Sequence, residues 1–444
     1  MAPKCDYRRL GFYYYPDTLH YRESDLCKWL PTLQDLGASW ITLVTPVKRA
    51  IPETFLKGLI NAGIKPVLHV HAPILPSVLN EIRPCLDIYA SWGVQYICFF
   101  DRPNSRSSWP ASAWAQNNLV ERFLDIYLPL AQTSIQAGLT PVFSPLQPGG
   151  DYWDTAFLQA ALQSIQRRGA QNIAEKLVLG AYAWSANRSL NWGAGGPERW
   201  PGATPYQTKP GSEDHLGFRI FDWYLALYQS VLGKQGRVIL IGAGSRLGDN
   251  QQPGNKPVDV QMHAKMNLTI AQLFSSASSE TLPPGIEPVT NRVLACNFWL
   301  LTASPDHPDA SQAWFQENGD VLPSAVQLRQ WVSSTYLPRR KSNTLNGVFH
   351  PTTSSKPIQH YLLLPSYDWG ISGWHFELIR PFVQKYLPTI GFSILEASQA
   401  SKVTILGNLT GFPANTLDTL LNSGCIVEQI EGDGTELASK LAEI

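Results

Sequence analysis

Apolar, β-branched runs alternate with amphipathic segments along the first three quarters of the chain. Leu10–Tyr15, Trp40–Val44, Lys65–Val70 and Val94–Phe100 read as short buried strands, and each precedes a segment whose apolar residues recur with helical spacing. Strand, loop and helix in this order predict right-handed βαβ units and a parallel sheet.

The same alternation continues far enough to close a barrel. Further strands are predicted at Thr140–Phe143, Leu177–Tyr182, Val238–Ile241 and Val293–Leu301. These units within residues 1–335 predict an α/β fold of the TIM (β/α)8 barrel type. An open doubly wound sheet would carry a glycine-rich fingerprint after its first strand, whereas the turn there is Tyr15-Pro16-Asp17.

A change of composition divides the chain after the barrel. Residues 336–359 are rich in Pro, Ser, Thr and Asn and are interpreted as a linker. Strand and helix patterns restart in residues 360–444, which predicts a small α/β, Rossmann-like domain. No chemical motif stands out in this domain, and it is a candidate surface for a protein partner.

Charge and composition exclude several classes of function. Lys plus Arg equals Asp plus Glu at 35 each, so no electrostatic case exists for nucleic acid or an anionic membrane as partner. The first residues lack the apolar stretch of a signal peptide, and no apolar window reaches the roughly 18 residues of a membrane span. We therefore expect a cytoplasmic protein, with release by an unconventional route left open. The six cysteines show no paired spacing, which argues against a disulfide framework or a zinc knuckle.

Two strand ends carry the most informative motifs. The seventh predicted strand lies in Arg237–Asp249 (RVILIGAGSRLGD), where an apolar run stops at a Gly-Ala-Gly turn. The fourth ends in Phe100-Asp101-Arg102-Pro103-Asn104. Together they resemble the Thr-Glu-Ala-Gly and Asn-Glu-Pro motifs of retaining glycoside hydrolases of the large (β/α)8 clan, and the resemblance spans residues 1–335.

The resemblance implies that both carboxylates of that clan are missing. Matched residue by residue, Arg102 stands where the general acid/base belongs and Gly242 where the nucleophile belongs. Retaining hydrolysis requires two carboxyl groups about 5–5.5 Å apart. Arginine stays protonated and glycine supplies no nucleophile. We therefore expect a barrel that binds a saccharide or glycan without retaining hydrolysis, and no cofactor.

One alternative is an active glycosidase with a different pair of carboxylates. Asp101, Asp151, Asp154 and Asp249 all fall in loops at the functional end, and an inverting pair needs a separation of about 6.5–9.5 Å. Each also has a structural interpretation. Asp154 precedes a helix and is typical of an N-cap, Asp249 lies in a Gly-Asp-Asn turn, and Asp101 is a candidate ion-pair partner of Arg102.

A second alternative is a metal-dependent hydrolase. His69 and His71 form an H-x-H at the end of the third strand, which places both rings on one face. The later strand ends offer Ser144, Trp184 and Thr302 rather than further metal ligands. The pair is therefore interpreted as packed or sugar-contacting, and no metal is expected.

The aromatic content suggests a ligand. Fifteen Trp and seventeen Tyr are more than packing alone calls for, and aromatic faces at strand ends are candidate platforms for sugar rings. Trp192 and Trp200 fall in a glycine-rich loop and are predicted to form an exposed platform or lid. The predicted ligand-binding residues are Tyr15, His69, His71, Asn104, Trp109, Asp151, Trp184, Asn187, Trp192, Arg246 and Trp299.

Overall fold

The computed structural model describes residues 9–275, 284–336, 356, 358–365, 373–407, 412, 416–432, 436 and 440. The chain divides into two compact units, Met1–Arg339 and Arg340–Ile444. None of the helices in the described residues has the length and apolar character that crossing a bilayer requires.

The first unit is a closed barrel of parallel strands, which confirms the predicted TIM fold. Around the ring the order is β1-β10-β9-β6-β5-β4-β3-β2, each strand parallel to its neighbours. A two-stranded hairpin of β7 (Ala203–Thr204) and β8 (Gln207–Thr208) lies in the loop after β6, so the seventh and eighth barrel strands are β9 and β10. The barrel strands are β1 (Leu10–Tyr13), β2 (Trp40–Thr45), β3 (Lys65–Val70), β4 (Tyr96–Phe99), β5 (Thr140–Leu146), β6 (Val178–Trp184), β9 (Val238–Gly244) and β10 (Val293–Phe298).

Helices cover the outside of the ring and occupy several of its loops. Glycine ends two of them, because Gly138 and Gly233 take left-handed backbone angles that other residues rarely adopt. Short 3-10 helices lie at Arg106–Ser108 and Ala310–Gln312. The α-helices are α1 (Glu23–Asp35), α2 (Glu53–Asn61), α3 (Val78–Ser91), α4 (Ala111–Trp114), α5 (Leu119–Ala137), α6 (Asp154–Arg167), α7 (Gln171–Lys176), α8 (Gly196–Arg199), α9 (Ile220–Leu232), α10 (Val260–Ser275) and α11 (Pro323–Tyr336).

The barrel strands are buried on both faces. One cluster of buried side chains packs between strands and helices, and a smaller one that includes Val67, Val142 and Ile239 fills the ring. The Thr42 hydroxyl crosses this interior to donate to the carbonyl of Ile241, although β2 and β9 are not neighbours. This two-sided burial explains why the strands read as continuous apolar runs.

Several barrel strands are longer than the sequence predicts, and β5 is one of them, since it continues from the predicted end at Phe143 to Leu146. β6 continues to Trp184, and β9 continues through the Gly-Ala-Gly segment to Gly244. The prediction of a turn at that segment was wrong, because Gly242 pairs with Tyr182 and Gly244 with Trp184 in the parallel ladder. The side chains of Tyr182 and Trp184 are therefore fixed by strand geometry rather than carried on a loop.

The second unit contains a parallel four-stranded sheet with the order β12-β11-β13-β14. This agrees with the predicted small α/β domain. β12 and α13 were not predicted, and β11 begins inside the predicted linker. Most of that linker, and all of the predicted helix at 434–442 except residues 436 and 440, lie outside the described residues. The elements are β11 (Ile358–Leu363), α12 (Gly373–Tyr386), β12 (Thr389–Gly391), α13 (Ile394–Ala397), β13 (Ala400–Leu406), α14 (Thr416–Asn422) and β14 (Ile426–Ile430).

Candidate functional site

Four side chains form a continuous stack at the carboxyl end of the barrel. The Cζ atom of Arg102, which follows β4, lies 4.7 Å from the centroid of the Tyr182 ring. The rings of Tyr182 and Trp184 on β6 are stacked with centroids 5.4 Å apart. The Cζ atom of Arg246, which follows β9, lies 4.6 Å from the Trp184 centroid. These four residues are called the stacked column below. Residues two apart on a strand share a face, so β6 presents both rings side by side.

Gly242 lies directly against the stacked column. A Cβ atom built at this position would lie 3.1 Å from ring carbons of both Tyr182 and Trp184. That is closer than ordinary van der Waals contact, so a longer side chain could enter only if the two rings moved. The position that resembles the clan nucleophile is thus occupied by aromatic rings of the neighbouring strand.

Arg102 is held in place by its backbone. It has a left-handed φ of 48°, which is uncommon for a residue other than glycine. Its N–H donates to the carbonyl of Pro145 at 3.0 Å. Its Nε atom lies 3.7 Å from a carboxylate oxygen of Asp101, as the predicted ion pair requires. The guanidinium is therefore fixed over Tyr182 and beside Asp101.

Asp101 is the carboxylate at the centre of this group. The Tyr182 hydroxyl donates to its Oδ1 atom at 2.7 Å. Burial alone would raise the pKa of Asp101, but the Arg102 guanidinium, the two nearby histidines and the Tyr182 hydroxyl outweigh burial and hold it below its ordinary value. Asp101 is consequently ionised at neutral pH, where it can accept a proton but has none to give to a leaving group.

The two histidines of β3 and its loop form a hydrogen-bonded chain beside Asp101. The Nε2 atom of His69 lies 3.0 Å from the carbonyl oxygen of Phe100, and its Nδ1 atom lies 3.1 Å from Nε2 of His71. That nitrogen of His71 is also 3.1 Å from the Tyr13 hydroxyl. Burial lowers the pKa of His69 to about 3. The protein atoms packed around the His71 ring also lower its pKa by desolvation, although part of the residue is open to solvent, so both rings are neutral at pH 7.

The prediction that Asp154 is an N-cap was wrong. It is the first residue of α6, and Trp153 is the N-cap residue. Its fully buried Oδ1 accepts from the N–H of Gly149 at 3.0 Å and lies 2.7 Å from His215 Nε2. Its Oδ2 accepts from the Tyr224 hydroxyl at 2.7 Å. The Asp154 carboxylate at the start of α6 thus binds the Gly149 loop, His215 and Tyr224 of α9, and its full burial keeps it from contact with a substrate.

The remaining predicted carboxylates also have partners of their own. Asp249 pairs with Arg246 at 3.0 Å, and only 12% of its side chain is exposed. The Oδ2 atom of the exposed Asp151 accepts from the backbone N–H of Arg106 at 2.8 Å. Both residues organise the loops around the mouth.

Two asparagines that were predicted to contact ligand instead hold loops together. Asn104 is fully buried, and its amide bonds to the carbonyls of Gln147 and Tyr152 and to the N–H of Gln147. Asn187 is 2% exposed, and its oxygen accepts from the N–H of Gln252 at 2.7 Å. The prediction was wrong because a polar residue at a strand end can bond to loop backbone as readily as to a ligand.

The predicted exposed platform at Trp192 and Trp200 was also wrong. The indole N–H of Trp192 donates to Asp214 at 2.8 Å, and the Cζ atom of Arg188 lies 4.4 Å from its ring centroid. Trp200 donates to the carbonyl of Ala194 and packs against the main core. The glycine-rich loop contains α8 and the β7–β8 hairpin, and its Leu190 and Trp200 join the main core.

The other predicted aromatic residues are largely packed. The Tyr15 ring stacks on His20 with centroids 3.7 Å apart. Trp299 is 8% exposed, with its rings 4.6 Å from that of Tyr13 and 5.9 Å from that of Trp184. Trp109 donates to the carbonyl of Pro103 at 2.7 Å and lines a cavity at the mouth.

Two cavities open at this end of the barrel. The smaller, of about 340 Å³, lies along the stacked column, and the larger, of about 510 Å³, lies over His71 and Asp101. Sequence reasoning missed Tyr182, Arg188, Gln147 and Gln251 as lining residues. The alternation of faces on β6 could have placed Tyr182 beside Trp184. The smaller cavity is lined by Gln147, Pro148, Gly149, Trp153, Tyr182, Trp184, Arg188, Leu216, Gly217, Arg246 and Gln251.

Solved glycoside hydrolases have similar chain folds. A family 39 glycoside hydrolase from Bacteroides cellulosilyticus matches with a TM-score of 0.47 and 12% identity, over 72% of this chain and 62% of its own length. A GH128 endo-β-1,3-glucanase from Sorangium cellulosum gives 0.40 and 12%, over 72% and 97%. Xylanase 10B from Thermotoga maritima gives 0.43 and 9%, over 73% and 94%.

These similarities concern the fold alone. No protein-family model matches the chain, and neither does any curated protein sequence. The (β/α)8 barrel predicted from the alternation of strands and helices is confirmed by the closed ring of parallel strands.

Proposed function

We propose that the barrel binds a saccharide in its cleft and does not cleave glycosidic bonds by double displacement. The observation that carries this proposal is the stacked column. Arg102, at the position that resembles the general acid/base of the clan, rests on Tyr182, and the rings of Tyr182 and Trp184 close the space beside Gly242, at the position that resembles the nucleophile. This packing supports a cleft without the two carboxylates of that clan.

The partners of the other carboxylates argue against a re-wired glycosidase. Asp154 is buried among hydrogen-bond donors, and Asp249 is paired with Arg246. Asp101 is bonded to Tyr182 and lies beside Arg102. An inverting pair needs one carboxyl that keeps its proton and faces a second one across the substrate. Burial would raise the pKa of Asp101 and of Asp154, but their charged and hydrogen-bonding partners outweigh burial and hold each pKa below its ordinary value.

Saccharide binding is supported by the smaller cavity. Its volume of about 340 Å³ falls in the range of small-molecule sites. Its wall combines the half-buried indole of Trp153 with the polar side chains of Gln147 and Gln251. Trp184 is buried and carries both the Tyr182 ring and the Arg246 guanidinium. Trp153 is half-buried, and its ring has only a tilted contact with Tyr206 at 5.0 Å and an edge contact with His215 at 5.2 Å among the described residues, so it is the better candidate for the aromatic face that meets a sugar.

Titration calorimetry on the full chain tests this proposal. Xylobiose, laminarihexaose and cellohexaose are the probes, and Trp153→Ala should weaken binding of the preferred probe about tenfold, as the loss of one aromatic contact implies. The control is Trp92→Ala, since Trp92 caps α3 and packs against Tyr89 outside the cavity. Binding of none of the probes, or release of shorter products from any of them, would contradict the proposal.

A further inference from the structure

Three metal-binding side chains meet under the larger cavity. A ring nitrogen of His69, a ring nitrogen of His71 and a carboxylate oxygen of Asp101 all lie within 4.8 Å of one another. The sequence offered the histidines as a pair without a third ligand. The third donor comes from β4, which lies next to β3 in the ring and ends at the same height.

The hydrogen bonds of His69 leave a lone pair directed at this group. The Phe100 carbonyl can only accept, so the Nε2 atom of His69 carries the proton and its Nδ1 atom does not. The bare Nδ1 lies 3.1 Å from Nε2 of His71. Metal-ligating histidines commonly donate their second N–H to a backbone carbonyl, because this fixes the tautomer and the ring orientation.

The group is accessible from one side only. His69 is fully buried, whereas His71 is exposed and lines the cavity of about 510 Å³ together with Asp101. The Tyr182 hydroxyl occupies Oδ1 of Asp101, and Oδ2 has only the distant contact with Arg102 at 3.7 Å. An ion can therefore enter through the cavity and keep open positions on that side.

We propose that His69, His71 and Asp101 bind a divalent first-row transition metal ion at the barrel mouth. Two imidazoles and one carboxylate with open positions suit Zn²⁺ or Fe²⁺ better than Mg²⁺ or Ca²⁺, which prefer oxygen ligands. The ion would take the place of the proton that Nε2 of His71 shares with Nδ1 of His69, and the His71 proton would then be carried on its Nδ1, so that both rings bind as neutral imidazoles. This site is independent of saccharide binding, because the three ligands do not line the smaller cavity.

The charge that opposes the ion is Arg102. Its guanidinium lies beside Asp101 and over Tyr182. Among residues 9–275 and 284–336, Arg102 is the positively charged residue that contacts the proposed ligands. The group therefore carries one negative and one positive charge besides two neutral rings. Neutralising Arg102 should strengthen binding of a cation, which a merely structural histidine cluster would not show.

The full chain is first treated with a chelator and dialysed to remove bound metal. Zn²⁺ is then added back, and its stoichiometry and affinity are measured. One equivalent is expected. His71→Gln and Asp101→Asn should each lower the affinity about a hundredfold, since each removes a ligand. Arg102→Gln should raise the affinity about tenfold. The control is His360→Gln in the second unit, which should leave the barrel site unchanged. Co²⁺ bound in place of Zn²⁺ should give visible absorption bands that are lost in His71→Gln.

Thermal unfolding of each variant separates loss of the site from loss of the fold. His71 is exposed, so His71→Gln should melt close to the parent chain. Absence of stoichiometric Zn²⁺, or binding that His71→Gln and Asp101→Asn leave unchanged in folded protein, would overturn the proposal. Saccharide binding is measured without added metal and has a separate outcome.

Discussion

At position 242 the missing side chain is a packing requirement. The rings of Tyr182 and Trp184 lie so close that even a Cβ atom would meet both at 3.1 Å. Arg102 in turn rests on Tyr182. The residues at the two positions that resemble the catalytic positions of the clan therefore contact the same tyrosine. A carboxylate introduced at one position alone would still meet the part of the stacked column that the other residue holds.

The double variant Arg102→Glu with Gly242→Glu should remain without glycosidase activity. A carboxylate at 242 cannot reach the cleft while Tyr182 and Trp184 hold their positions, and overpacking should lower the free energy of unfolding by about 1–3 kcal/mol. Turnover of aryl glycosides and urea unfolding are the measurements. Arg102→Glu alone is the control for the change of charge. Glycosidase activity in the double variant would contradict this prediction, because it would show that the rings of Tyr182 and Trp184 can move aside.

At the scale of elements, a buried histidine joins the last two helices of the barrel. His263 of α10 is 1% exposed, and its Nδ1 atom lies 2.5 Å from the Ser324 hydroxyl at the start of α11. Its ring also approaches that of Trp314. Burial lowers the pKa of His263 from 6.5 to about 4. The folded barrel therefore keeps this ring neutral where an unfolded chain would protonate it.

This difference predicts a specific loss of stability in acid. The folded pKa is the lower one, so the contribution is complete above pH 6.5 and is lost as pH falls toward 4, with a total of about 3 kcal/mol. Urea unfolding followed by tryptophan fluorescence measures it. His263→Gln should be less stable at pH 7 and should lose less on acidification. Equal losses in the two proteins would mean that His263 is protonated in the fold.

The sequence was sufficient to predict which strands and helices form the barrel, but it was not sufficient to predict where each of them ends. The barrel strands are apolar runs that alternate regularly with helices, so β2 and β3 begin at the predicted residues. β9 was predicted to stop before Gly242, because glycine in a run of apolar residues usually marks a turn. It continues because β6 supplies bulky rings at the same level, a fact about a neighbouring strand that local pattern does not contain.

At the scale of the whole molecule, the repeated strand and helix units were enough to predict the fold, but they did not predict the site. Eight strand and helix units leave few ways to arrange a parallel sheet, so the barrel could be predicted. Asn104 and Asn187 were predicted as ligand contacts and are instead buried between loops. Their partners come from other loops, up to 69 residues away along the chain, so only the folded structure brings them together.

The most direct test of the inert cleft is a search for a covalent glycosyl intermediate. The full chain is incubated with activated 2-deoxy-2-fluoro glycosides, which leave a sugar esterified to a retaining nucleophile, and its intact mass is measured. A retaining glycosidase that forms a glycosyl-enzyme ester serves as positive control. The account predicts that the control gains the mass of one sugar while this chain gains none. A stoichiometric sugar ester on any Asp or Glu of the barrel would contradict it.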